Sequence, residues 1–213
     1  MICGVDEAGK GPVIGPMVIA AVSVKNAKLI EKLGFKDSKL LPSKKRKELF
    51  ELIKKKYEYA IEIIEPEKID EYRKRNKLNL LNRKAFEKVI SELNPDIAYV
   101  DAADVNEERF GREIKSNLTN EKNTDIISMH KADTKIPIVA AASIIAKQTR
   151  EIEIDKLKSK IGDFGSGYPS DERTIKFLKS YFHDKSKWPA GTRKSWKTIQ
   201  RIRPVKKLTD YGD

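Results

Sequence analysis

The chain has 213 residues, 39% hydrophobic and 36% charged, with 44 Lys and Arg against 32 Asp and Glu, for a formal charge of +12. That length suits one domain with a full core, or one domain with a small extension, and the single cysteine, Cys3, excludes a disulfide framework or a four-cysteine zinc site. No apolar run reaches the roughly 20 residues that a bilayer span needs, and the basic surplus points to a polyanionic partner or to plain solubility.

In chain order, residues 2–7 read as a short strand and residues 14–24 as a second, apolar and branched one. Gly9, Gly11 and Pro12 make the turn between them. The chain enters this first strand with no signal-peptide pattern, so a cytoplasmic location is expected. Residues 43–57 place Leu49, Phe50, Ile53 and Tyr57 at helical spacing. Residues 57–65 alternate as a strand that Pro66 ends. Residues 78–93 give an amphipathic helix with Leu81, Ala85, Val89 and Leu93 on one face. After Asn94-Pro95, residues 96–101 read as a strand, 107–118 as a helix and 124–130 as a strand. Pro137 opens a long helix that Gly162 closes, one face carrying Ile138, Ala142, Ile145, Thr149 and Ile152. Ser170 caps a helix running to about residue 182. A last helix spans about 193–203. The pattern predicts an α/β chain: a mixed sheet with helices on its faces and a helical C-terminal part.

Three strand ends carry acids. Asp6 and Glu7 close the first strand, Asp101 closes the fourth, and Asp133 follows the fifth. If these strands are neighbours the carboxylates converge, as they do where strand ends meet in open α/β sheets. Converging carboxylates repel unless a cation neutralises them, and hard divalent ions such as magnesium or manganese take oxygen ligands. Such a site suits phosphoryl displacement on a substrate that the basic surface gathers. For any single Asp, a solvent-facing or helix-capping role is the stronger expectation, and for the four together a site is. Gly4 to Lys10 echoes a phosphate-binding loop, but Gly11 stands where Ser or Thr is required and a strand follows where a helix should. His130 and His183 have no histidine or cysteine at ligand spacing, which argues against zinc.

The run Asp6 to Pro16, read with Val100-Asp101-Ala102 and His130-Lys131-Ala132-Asp133, resembles type 2 ribonuclease H. Asp37-Ser38-Lys39, Ala141 to Lys147 and Gly165 to Asp171 agree in order, and Arg193-Lys194-Ser195-Trp196 resembles the archaeal branch. The resemblance implies a ribonuclease H-like catalytic domain over residues 1–162 and a helical, substrate-binding extension over 163–213. It implies hydrolysis of the RNA strand of RNA/DNA hybrids and cleavage 5′ to ribonucleotides embedded in DNA. Two magnesium or manganese ions would act, leaving 3′-hydroxyl and 5′-phosphate ends. Asp6, Glu7, Asp101 and Asp133 match the family's four acidic positions. Gly9, Lys10 and Gly11 match the loop that reads the ribose, with Lys10 where the family commonly has Arg; a lysine lacks the bidentate fork. Tyr168 matches the junction-reading tyrosine, and Lys39, Arg46, Ser143 and Lys147 fall at positions near the substrate backbone.

Residues 185–207 hold nine Lys or Arg and no acid, with Trp188 and Trp196 interleaved, which suits phosphate contacts or a solvated face over a tryptophan core. Trp196 is expected to be buried, and Cys3 to be a small buried hydrophobe. Lys39, Lys44, Lys45, Arg46 and Lys47 crowd a helix start, where positive charge opposes the helix dipole and a bound phosphate would relieve it. Ser143 among alanines reads first as a small residue for close packing. The rival readings are a noncatalytic nucleic-acid-binding module and a related two-metal nuclease acting on DNA. A monomer is expected, without a membrane contact. The tail at 207–213 lacks the paired aromatics of a clamp-binding box.

Overall fold

Ile2–Ala8 (β1) and Met17–Val24 (β2) pair antiparallel, and Glu58–Ile64 (β3) pairs antiparallel beyond β2. On the other side of β1, Ile97–Asp101 (β4) runs parallel to it, and Asp125–Met129 (β5) parallel to β4. The sheet order is therefore β3-β2-β1-β4-β5. The structure is a computed structural model that describes residues 1–26, 42–119 and 123–203. β2 is buried at every position because helices cover both faces of the sheet, which is why its sequence is apolar throughout. It begins at Met17 where the apolar run suggested 14. Gly15 takes a φ of +94° and Pro16 has no N–H, so Ile14 makes only an isolated bridge to Thr192.

The described helices are Ser43–Lys56 (α1), Pro66–Lys74 (α2), Leu78–Leu93 (α3), Glu107–Asn117 (α4), Ala132–Lys135 (α5), Pro137–Ile161 (α6), Glu172–Lys185 (α7) and Lys197–Ile202 (α8). α2 was not expected. Pro66 reads as a stop, yet it occupies the first helical turn, where a missing N–H costs nothing. α5 is too short to leave a periodic pattern. The α7 cap is Asp171, whose carboxylate accepts from Arg173 N–H at 2.9 Å, and not Ser170. α8 starts at Lys197, later than the expected 193, because Arg193 is buried and engaged elsewhere.

α6 lies flat on the sheet. A Cβ on Gly4 would fall 2.4 Å from the Ile138 backbone, so only glycine lets β1 meet the helix this closely. From Ile138 to Ala146 the helix is buried all round, which small alanines and Ser143 permit. The single-face expectation fails further on: Ile152 is exposed, and Ile154 instead packs against Gly15. Strand alternation divides β1. Cys3 and Val5 face the core layer under α3 and α4, while Ala8 joins the layer with α1 and α6. Phe164, Leu178, Trp196 and Ile199 share the first layer, so the C-terminal segment is anchored in the same core as the strands. No described helix is long and apolar enough to cross a membrane.

Candidate active site

β1, β4 and β5 are successive parallel neighbours, so their C-terminal ends share one edge of the sheet. Val5 is level with Val100, which places Asp6 beside Asp101. Beyond β5 the chain turns through Lys131, at a φ of +56°, into α5 and brings Asp133 back. The Ala132 N–H donates to Asp101 Oδ1 at 3.1 Å and ties α5 to the end of β4. One carboxylate oxygen each from Asp6, Asp101 and Asp133 then lies within 4.8 Å of the others. Asp6 and Asp133 are buried and Asp101 is half-buried.

Burial pushes the Asp6 carboxyl up to about 7. The Ser143 hydroxyl facing it pulls the other way, Asp101 adds to the rise, and the Glu7 N–H (2.7 Å from Oδ1) and the Lys147 ammonium lower it. Lys147 Nζ stands 3.9 Å from Asp133 Oδ2. Three oxygen donors on three separate elements, one of them half-protonated near neutrality, form the donor set a hard divalent cation takes when it replaces that proton. The residues fit such an ion.

Glu7 is one residue from Asp6 and therefore points to the opposite face of β1, toward α3. The Asn82 side-chain amide donates to its Oε2, and Lys10 Nζ lies 3.9 Å from its Oε1. Burial raises the Glu7 pKa; Lys10 and Asn82 lower it, and the nearby charge of Asp101 raises it further. Glu7 stands beside the three aspartates without belonging to their tight cluster. Asn82, fully buried, was not singled out from the sequence, although an amide beside the Leu81, Ala85 and Val89 stripe of α3 was the available sign.

The loop after β1 is held from beneath. Arg193, fully buried, donates to the carbonyls of Gly9 (2.6 Å), Lys10 (2.9 Å) and Gly15 (3.0 Å). Trp196 Nε1 donates to Gly11 O at 3.1 Å, and Val13 N–H to Gly167 O at 2.7 Å. Gly9 has a φ of +85°, and a Cβ there would strike the Arg150 side chain at 2.4 Å. Gly11 stays exposed, beside the half-open ring of Tyr168. The Arg150 guanidinium lies 5.5 Å from that ring's centre. Burial, with Arg150 next to it, holds the Arg193 guanidinium well below the usual arginine range. Neither Arg193 nor Arg150 was given a role from the sequence.

The remaining positions are placed as follows. The Lys10 ammonium donates to Ala103 O as well as approaching Glu7. Ser143 and Lys147 face the aspartates from α6. Arg46 is paired with Glu151 on α6. Lys39 lies outside the described residues. The His130 ring places Nε2 3.2 Å from Val105 O, and its backbone N–H donates to Glu107 Oε2 at 2.6 Å. Trp196 is buried as expected, with the guanidinium groups of Arg73 and Arg193 at 4.2 and 5.0 Å from its ring centre, and Trp188 meets Phe182 at a tilt; both tryptophans pack within the protein. The α1 N-terminus has no acid in its first turn and no side-chain cap.

The family model described as Ribonuclease HII matches residues 3–199. A ribonuclease HII from Methanoregula boonei is 48% identical over 202 residues, covering 95% of this chain and 94% of its own length. The Archaeoglobus fulgidus ribonuclease HII, solved in complex with PCNA, superposes with a TM-score of 0.88 at 44% identity, over 99% of this chain and 100% of its own. The ribonuclease H2 of Pyrococcus horikoshii gives 0.87 at 42% identity, over 94% and 96%.

Proposed function

Since this chain belongs to the ribonuclease HII family, and is therefore a ribonuclease H acting on RNA/DNA hybrids, we propose that it also cuts 5′ to single ribonucleotides embedded in DNA, leaving 3′-hydroxyl and 5′-phosphate ends. The observation that carries the chemistry is the meeting of Asp6, Asp101 and Asp133 at one sheet edge. These three hold divalent metal, and Glu7 contributes from the other face of β1, kept in place by Asn82. Magnesium or manganese ions held by these carboxylates, two in this reading, would supply positive charge for the phosphoryl oxygens and would acidify water.

The chain's own residues position the substrate. The Gly9–Gly11 backbone, fixed by Arg193 and Trp196, approaches the ribose 2′-hydroxyl, which only a loop without side chains at Gly9 and Gly11 allows. Lys10 takes part through its backbone, since its ammonium is engaged by Ala103 O and Glu7. Tyr168, next to Gly11, stacks at the junction between ribonucleotide and deoxyribonucleotide. Lys147 offsets charge on the aspartates and the Ser143 hydroxyl faces Asp6, while Lys39 and Arg46 contact the substrate backbone. Residues 163–213 act as the substrate-binding extension. The Archaeoglobus relative is solved with PCNA. A pull-down with the clamp tests whether this chain shares that partner despite its unremarkable tail.

The test is cleavage of a DNA duplex carrying one ribonucleotide, with product ends mapped, beside an all-DNA duplex and a continuous hybrid. A cut only in the continuous hybrid would remove the embedded-ribonucleotide reading and leave the ribonuclease H activity standing.

A further inference from the structure

A basic cavity lies apart from the carboxylate cluster. The turn between α2 and α3 and the segment leading into α8 border an open cavity of about 590 Å³. Arg73, Lys74, Lys194 and Lys197 line it with the amides of Asn79 and Gln200, and among the described residues no acid does. Lys74, Lys194 and Lys197 have no ion-pair partner among the described residues. Ammonium groups gathered without a counter-charge repel one another, and an anion relieves that repulsion.

The frame is fixed before any ligand arrives. Asp70 accepts from the N–H groups of Lys194 (2.7 Å) and Ser195 (2.9 Å). Arg73 Nε donates to Ser195 O at 3.2 Å while its guanidinium lies 4.2 Å from the Trp196 ring centre. Trp196 in turn binds Gly11 O, and Asn79 stands one helical turn before Asn82, the partner of Glu7. The cavity is thus tied through Trp196 to the Gly9–Gly11 loop and through α3 to the carboxylate edge. Lysines as point charges with amide donors are the groups that hold nucleic-acid backbone without reading sequence. We infer that this cavity binds a phosphate of the substrate backbone outside the reacting linkage, an inference that rests on reading the chain as a nuclease on hybrids. A free phosphate has the same chemistry, and the two sources separate by experiment.

The experiment compares the full chain with K194A/K197A, and with K55A/K56A at the end of α1 as a control of equal charge loss. All four lysines are exposed, so the fold should be kept, and thermal melting checks this. Hybrid binding is measured in a chelator, which stops turnover, over a range of salt. The expected result for K194A/K197A is roughly tenfold weaker binding and a salt slope lower by about 0.9, the value of one duplex phosphate contact. The control should keep the slope of the unmodified chain. Equal slopes and affinities for the two variants would overturn the inference. Calorimetric titration with inorganic phosphate forms the second arm. Phosphate binding lost in K194A/K197A without any change in hybrid affinity would replace the backbone assignment with a free-anion site. Cleavage is scored separately: an unmodified chain that binds hybrid with the expected slope but never cuts it would count against the nuclease reading and leave the cavity assignment intact.

Discussion

The two halves of the site are built by different means. The carboxylate edge is assembled by sheet topology: three parallel strands end together, and each contributes an aspartate directly or one turn later. The Gly9–Gly11 loop is assembled by a buried arginine and a tryptophan that reach back across 178 to 185 residues of sequence to hold its carbonyls and that of Gly15. One half is a product of strand order and should tolerate change around it. The other depends on a few long-range hydrogen bonds and should fail when any one is removed. The difference predicts that hydrolysis and ribonucleotide recognition can be damaged separately.

The largest effect should come from Asp6→Asn. Loss of one metal-binding carboxylate removes several kcal/mol of transition-state stabilisation, on the order of a 10³-fold drop in kcat/KM on any hybrid. The same variant should melt no lower than the parent in chelator at pH 8, because a buried, self-repelling charge has gone. Activity retained in Asp6→Asn would break the assignment of the edge. Arg193→Met comes next. It leaves three carbonyls without their donor and should cost about 3 kcal/mol of stability. Discrimination between a one-ribonucleotide duplex and a continuous hybrid should fall along with it, while divalent-metal affinity stays within about twofold. A variant that lost metal affinity instead would show that loop and edge are one unit.

The sheet and its acids were legible in the sequence because the strands are short and bounded by turn residues, and because Asp6 and Asp101 sit at the ends of strands and Asp133 shortly follows one. Glu7 was legible as an acid, but its placement on the opposite face follows only from the pleat. α2 was hidden because Pro66 serves equally as a strand stop and a helix start. Arg193 was hidden for a different reason. In sequence it is one more cation in a basic stripe, and its partners are the backbone carbonyls of a loop at the other end of the chain, which no side-chain pattern records. The importance of Tyr168 came from resemblance alone; the structure adds that it borders Gly11 and lies over Arg150.

The pH dependence tests the electrostatics of the edge. The Asp6 pKa is raised from its ordinary value near 3.8 to about 7 in the folded protein. Its contribution to metal-free stability is therefore fully present below the unfolded value and is lost as pH rises from about 4 through about 7. A metal must displace that proton, so its affinity should rise by about tenfold per pH unit below pH 7 and level off above. The chelated protein should melt at a lower temperature at pH 8 than at pH 5.5, and saturating magnesium or manganese should reverse that order. Metal affinity independent of pH between 5.5 and 7 would mean that Asp6 is ionised before metal arrives.

The smallest effect belongs to the tyrosine and separates recognition from chemistry most cleanly. Tyr168→Ala removes a ring whose stacking is worth about 1–3 kcal/mol, so a one-ribonucleotide duplex should be cut roughly tenfold more slowly. On a continuous hybrid the protein can shift register until another ribose meets the Gly9–Gly11 loop, so the loss there should be smaller. Metal affinity should not move, because the aspartates have no bond to the ring. Tyr168→Phe keeps the stacking face and the contact with Arg150 and should recover most of the rate, unless the hydroxyl itself holds a phosphate oxygen. Equal losses for Ala and Phe would therefore move the recognition from the ring to its hydroxyl, and equal losses on both substrates would assign Tyr168 to the loop's rigidity, alongside Arg193, and not to the junction.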